Sequence, residues 1–223
     1  FVTKVKKILE SVCHNCGKIL DDERNPQYKQ AVNIRDPKRR FDMVHKICKP
    51  KMICEPDSQE DGNDDFGGDP KAKLKIKGHG GCGNIQPEIR KEALKLNGTW
   101  KLPKGQEDEE GDKGPEKRPI TPQMALNVFR NISDRDLTIL GCNADYARPE
   151  WMIMTVMPVP PPAVRPSISV DGTSQGMRSE DDLTYKLSDI IRANSNVKRC
   201  EQEGSPQHVV EEFISLLQYH VAT

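Results

Sequence analysis

Apolar residues along this chain fall in separated clusters, and their rhythm predicts a mostly helical chain with a few extended pieces. Val5, Ile8, Leu9 and Val12 recur at helical spacing with lysines on the opposite face, which predicts a helix over 2–12. A second helical stretch covers 27–48, interrupted at Asp36-Pro37 because proline stops a helix or restarts one. Over 81–100, Ile85, Ile89, Leu94, Leu96 and Trp100 read as strands or extended pieces. Thr121-Pro122 supplies an N-cap and a proline at the first helical position, and Ala125, Val128, Phe129 and Ile132 then form one face. Ser133-Asp134-Arg135-Asp136 is a capping box for a second short helix, closed by Gly141. The run 151–157 is apolar apart from Thr155 and enters Pro158-Val159-Pro160-Pro161-Pro162, which predicts a buried strand leading into polyproline.

Beyond a polar loop at 166–180, the periodicity is clearest of all. Leu183, Leu187, Ile190, Asn194 and Val197 alternate four and three apart, and Val210, Ile214, Leu217 and Val221 repeat the pattern. Gly204-Ser205-Pro206 between them gives a helix stop, an N-cap and a first-turn proline. The expectation is an antiparallel helical hairpin with a coiled-coil seam, and the charged outer faces favour a projecting arm over two core helices of a bundle. The fold class is α+β: a braced mixed core with mostly helical segments, few short strands and this terminal hairpin. The divisions expected are a core over 1–100, a polar insertion at 101–119, core helices and a strand over 120–165, a loop at 166–181 and the hairpin at 182–223.

The 223 residues balance 34 basic against 34 acidic side chains, so no global field points to nucleic acid or membrane. The balance hides blocks: 57–69 is acidic, while Lys71, Lys73, Lys75 and Lys77 follow closely. Apolar residues make up 35% of the chain and aromatics 5%, which suits ordered pieces joined by polar insertions at 56–78 and 101–119 rather than one large core. Seven cysteines, with no signal peptide and no long apolar run, favour a reducing compartment, no membrane partner, and thiols that are metal ligands or buried. A secreted disulfide scaffold is the weaker reading. The first residue is Phe1 and the last helical pattern has no cap, so the chain reads as an excerpt of something longer.

Cys13-His14-Asn15-Cys16-Gly17-Lys18 is half of a structural zinc site, with two thiolates converging on one ion and a glycine that lets backbone amides turn back toward sulfur. The other half has five candidates. Cys82, in His79-Gly80-Gly81-Cys82-Gly83-Asn84, ranks first because glycines let the backbone wrap an ion; Cys54 and Cys48 follow, then His79 and His45. A redox Cys-x-x-Cys is the rival reading, but that motif normally sits in a thioredoxin-like unit, and nothing in the pattern supplies one. An ion held by protein ligands alone is a fold element contributing on the order of 10 kcal/mol.

No catalytic constellation emerges. Asn143-Ala144-Asp145 lacks the further carboxylates that a magnesium site for phosphoryl transfer needs. The chain has no glycine-rich phosphate cradle, no Ser/His/Asp arrangement and no His-Glu-x-x-His.

Five stretches, taken in order, carry a resemblance. They are Val12-Cys13-His14-Asn15-Cys16-Gly17-Lys18; Lys51-Met52-Ile53-Cys54-Glu55; Gly80-Gly81-Cys82-Gly83-Asn84 with Gln86-Pro87 and Ile89-Arg90-Lys91; Arg148-Pro149-Glu150-Trp151-Met152 through Pro166-Ser167-Ile168-Ser169; and Asp181-Asp182-Leu183-Thr184-Tyr185-Lys186-Leu187 through Leu216-Leu217-Gln218-Tyr219-His220-Val221-Ala222-Thr223. Together they resemble the clamp region near the N-terminus of the largest subunit of eukaryotic RNA polymerase II, over nearly the whole chain. The resemblance implies a clamp zinc held by Cys13, Cys16, Cys54 and Cys82, leaving Cys48, Cys142 and Cys200 unliganded. It implies that 166–181 is the lid, which helps part RNA from template DNA. In such a role Arg165 and Arg178 are expected to meet phosphates, which position nucleic acid without reading sequence. It further implies that the hairpin docks initiation and elongation factors, that the other polymerase subunits, the DNA template and the RNA–DNA hybrid are partners, and that the protein is nuclear. The catalytic loop and its Mg2+ then belong to the whole enzyme and not to these residues. A free-standing zinc module that binds a protein through its hairpin is the alternative.

Overall fold

The computed structural model describes residues 1–57, 78–101, 115–170, 172 and 176–223, so the expectations for the centres of the two polar insertions lie outside the described residues. The chain divides into two compact units, Phe1–Thr155 and Val156–Thr223.

In the first unit, helix α1 (Val2–Leu9) buries Val5, Ile8 and Leu9 and stops earlier than its apolar pattern suggests. Ser11 and Val12 leave the helix because Val12 bridges to Ile19 across a tight turn. The second helical stretch is split as the proline required: α2 (Pro26–Val32) and α3 (Pro37–Cys48) each begin with proline. Asn25 caps α2 by accepting from the Gln27 amide, and Asp36 caps α3 by accepting from Lys38 and Arg39. Phe41, Val44 and Cys48 form the inward face of α3.

Strands β1 (Glu88–Glu92), β2 (Lys95–Trp100) and β3 (Glu116–Ile120) form an antiparallel meander in that order. Gly98 lies opposite Ile89 on one side and Arg118 on the other. β3 corrects the sequence reading, which left 116–119 in a polar insertion. Its Glu-Lys-Arg-Pro-Ile run has no strand signature of its own; pairing with β2 makes it a strand. Pro119 is tolerated there because β3 is an edge.

Helix α4 (Pro122–Arg130) is capped by Thr121, whose hydroxyl accepts from the Met124 amide, and buries Ala125, Leu126, Val128 and Phe129. Helix α5 (Asp134–Ile139) is capped by Ser133 and ends at Gly141, where a positive φ of 70° closes the turn. Both starts follow the sequence signals. The core of this unit joins α1, α3, α4 and α5 with Ile89, Leu96 and Ile120 of the sheet, and Phe129 is completely enclosed.

The strand expected over 151–157 does not form. Pro149–Met152 is a 3-10 turn instead; Met152 and Ile153 pack on the core, whereas Trp151, Met154 and Val156 face solvent, Val156 with 83% of its surface exposed. A continuous apolar run does not distinguish a two-faced buried strand from a turn that alternates contacts.

The second unit contains the loop and the hairpin. The loop expected at 166–180 holds a short ladder, β4 (Ile168–Ser169) with β5 (Arg178–Ser179). Helices α6 (Asp182–Gln202) and α7 (Gln207–Ala222) then pack antiparallel. Asp181 caps α6, and Gly204, with φ +65°, turns the chain. Pro206 itself occupies the N-cap of α7, displacing Ser205 from the expected role. The seam buries Ala193, Val197, Cys200 and Val210. Asn194, expected on the seam, is exposed, because the inward positions run three then four from half-buried Ile190, through Ala193 to Val197.

Candidate metal centre

Two tight turns bring four sulfurs together. The first follows α1. Val12 pairs with Ile19, the Cys13 amide donates to the Lys18 carbonyl at 2.8 Å, and the Gly17 amide donates to the Cys13 carbonyl at 3.0 Å. Gly17 sits at φ +73°, and a β-carbon there would lie 2.6 Å from the Asn131 carbonyl, so both conformation and space demand glycine.

The second turn pairs 52–54 with 83–86. Ile53 bridges Ile85, the Cys54 amide donates to Asn84, and the Gly83 amide donates back to Cys54 at 2.8 Å. Gly81 presses against the Glu55 carbonyl, which a β-carbon would approach to 2.1 Å. Cys54 and Cys82 are thereby held side by side although 27 residues separate them in the chain.

The sulfurs of Cys13, Cys16, Cys54 and Cys82 all lie within 4.8 Å of one another. Cys13 Sγ is 3.4 Å from Cys82 Sγ, and Cys16 Sγ is 3.8 Å from Cys54 Sγ. A tetrahedral zinc with four thiolates about 2.3 Å away sets sulfur–sulfur edges of about 3.8 Å. The donor set therefore fits such an ion, and the arrangement leaves no fifth, open position on it.

Polar hydrogens converge on the same sulfurs. The Asn15 amide donates to Cys13 and the Cys82 amide to Cys54, each at 3.4 Å. Asn84 Nδ2 donates to Cys82 at 3.2 Å. Gln86, almost wholly buried, donates from Nε2 to Cys13 at 3.2 Å while its Oε1 accepts from the His14 amide at 2.9 Å. Such donors stabilise accumulated thiolate charge and hold the turns in register. Sequence reasoning used Gln86 only as part of a likeness. A glutamine four residues past Cys82 was the available signal.

Cys13, Cys54 and Cys82 depart from the ordinary acidity of a thiol in different directions. Burial pushes Cys13 and Cys54 up. Burial also opposes ionisation of Cys82, but donation from the Asn84 amide and side chain outweighs it and brings that thiol down to about 6. Cys82 is the exposed member of the four.

The remaining candidates separate clearly. Cys48 is buried on α3 and its thiol is pushed up to about 12 by burial, as suits a small core residue. Cys142 packs at the edge of the first core, and Cys200 lies in the hairpin seam. His45 binds Glu10 at 2.8 Å. His79 stands beside the cluster, its Nε2 3.6 Å from Cys54 Sγ and its Nδ1 3.2 Å from Asp22. Arg165 donates to the Pro160 carbonyl and to Thr184, and Arg178 to the hydroxyl and carbonyl of Ser167, so both arginines brace the second unit. Among the described residues no helix is long and apolar enough to cross a membrane. The family model described as RNA polymerase Rpb1, domain 1, matches residues 1–223.

Proposed function

The chain belongs to the RNA polymerase Rpb1, domain 1, family, and on that premise we propose that it forms the clamp core of the largest polymerase subunit. Members of this family are part of DNA-directed RNA polymerase, a nucleotidyltransferase that works with other subunits and with DNA. In the reading proposed here, these residues guide nucleic acid and carry no catalytic centre. Cys13, Cys16, Cys54 and Cys82 hold a structural zinc, and the protein acts in the nucleus.

The observation that carries this reading is the meeting of four sulfurs from turns 69 residues apart, Cys13 to Cys82. A part that swings over DNA as one body needs rigidity, and a core this poor in apolar residues gains it from a metal tie. When bound, the ion supplies cross-linking and no Lewis acid chemistry toward substrate, since its four positions are filled. The chain's own residues do the rest. Gln86 and Asn84 place the sulfurs, Gly17 and Gly81 let the backbone approach, and α1 and the meander are joined through the two turns.

In the second unit the β4–β5 ladder is the lid, and the α6–α7 hairpin is the arm on which initiation and elongation factors dock. Arg178 is exposed at the ladder, where its charge suits a phosphate without reading sequence. Exposed Trp151 and Met154 suit a chain that packs against other subunits.

Elemental analysis of the purified chain is expected to give one zinc per chain, and Cys13→Ser less than a tenth of that. A metal-free chain that stays folded would defeat the structural role. For the lid, Arg165→Glu with Arg178→Glu in reconstituted polymerase is expected to impair displacement of the transcript from the template, and unchanged displacement would remove both arginines from that role.

A further inference from the structure

We propose that His79 is a reserve ligand of the four-cysteine centre, its Nε2 taking the fourth position when the Cys82 thiolate leaves it; this rests on the metal reading above.

The distance is the first argument. His79 Nε2 lies 3.6 Å from Cys54 Sγ. A nitrogen at about 2.1 Å and a sulfur at about 2.3 Å on one tetrahedral ion stand about 3.6 Å apart. The imidazole therefore already sits at ligand separation from one sulfur of the cluster.

Orientation is the second. Asp22 accepts from His79 Nδ1 at 3.2 Å, so the proton is held on that nitrogen and the lone pair of Nε2 is turned toward Cys54 Sγ. A carboxylate behind an imidazole that faces a metal is the arrangement by which proteins orient histidine ligands. Asp22 is itself fixed: Arg24 donates to it from its backbone amide, Nε and Nη2, the last at 2.6 Å.

Topology is the third. His79 and Cys82 share one glycine-rich turn, and Gly80 and Gly83 between and beside them adopt φ of +65° and +76°. Cys82 is the exposed ligand of the four, whereas His79 has only 12% of its side chain exposed. The ligand most open to exchange and its substitute are thus three residues apart on one turn. A cleft of about 560 Å³, lined by Cys16, Lys18, Asp22 and His79 among others, opens on the imidazole side of the cluster and gives water and solutes access there.

Cobalt(II) titration of the 223-residue chain, followed by visible and near-ultraviolet absorption, tests the assignment. The unaltered chain is expected to give a four-sulfur tetrahedral spectrum. Cys82→Ala is expected to keep tetrahedral cobalt, with ligand-field bands moved to higher energy and weaker sulfur-to-cobalt charge transfer, and Cys82→Ala combined with His79→Ala to lose the tetrahedral bands. A Cys82→Ala chain with native circular dichroism and no tetrahedral cobalt overturns the proposal, as does a double variant indistinguishable from it. Absence of the four-sulfur spectrum in the unaltered chain instead overturns the metal reading beneath it. Should Cys82→Ala not fold, zinc release to excess chelator decides: His79→Ala is expected to release about tenfold faster than the unaltered chain, with its own cobalt spectrum still four-sulfur. Equal release rates overturn the proposal.

Discussion

Glu10 shows how much one side chain carries in a core of this size. Its carboxylate is 7% exposed and takes Lys6 at 2.9 Å on one oxygen and His45 at 2.8 Å on the other, joining α1 to α3. Burial alone would raise its pKa, but the hydrogen bonds from His45 and Lys6 outweigh burial and hold it below the ordinary value of 4.5. A depressed carboxylate contributes stability in full above its unfolded pKa and loses it as pH falls through the lower folded value. Glu10→Gln is therefore expected to cost roughly 1.5–3 kcal/mol at pH 7, and the gap from the unaltered chain to narrow as pH falls below about 4.5. Denaturant titrations of both proteins at a series of pH values measure it. The pair Glu10–His45 was not visible in the sequence, where His45 entered only as a remote metal candidate. Its partner lies 35 residues away and meets it only when two helices pack.

At the scale of elements, what was legible was whatever a local rule enforces. The capped starts at Thr121 and Ser133 were written in short side chains placed next to proline or acidic residues, and the helices begin there. The paired turns of the metal centre were legible in Cys13, Cys16 and the glycines around Cys82, because these turns need particular residues. Elements that depend on a distant partner were not. β3 exists through β2, and the run after Pro149 pairs with no strand among the described residues. In the hairpin the period was visible but not its phase: Ala193 is buried beside an exposed Asn194. Val197→Asp, placing an unpaired charge in the seam, is expected to destabilise the hairpin by about 3 kcal/mol or more. Ile191→Asp, on a face with 66% exposure, is expected to change stability by less than about 0.5 kcal/mol. Thermal melts followed by helical circular dichroism compare the two.

For the whole molecule, the division into two units places the four-cysteine cluster in one of them. All four cysteines belong to Phe1–Thr155, and the hairpin core of Val156–Thr223 uses none of them. Chelation is accordingly expected to lower or abolish the thermal transition of the first unit and to leave that of the hairpin in place, as seen by calorimetry with and without chelator. A single transition that shifts as one would show the two units to be energetically inseparable. Family membership was legible at this scale because its motifs are spread over the full length; composition alone, with its even charge, pointed nowhere.

The pairing of Cys54 with Asn84 and Gly83 has a consequence for how this chain tolerates change in length. Those two backbone bonds and the sulfurs beside them close the base of everything between 55 and 81. Once the base is closed locally, each doubling of the intervening chain costs only about 0.6 kcal/mol of closure entropy. The ligand geometry is thus insulated from the text it encloses. Insertions or deletions within 58–77 are therefore expected to leave the stability of the centre nearly unaltered, so the brace separates the length of this segment from the geometry of the ligands.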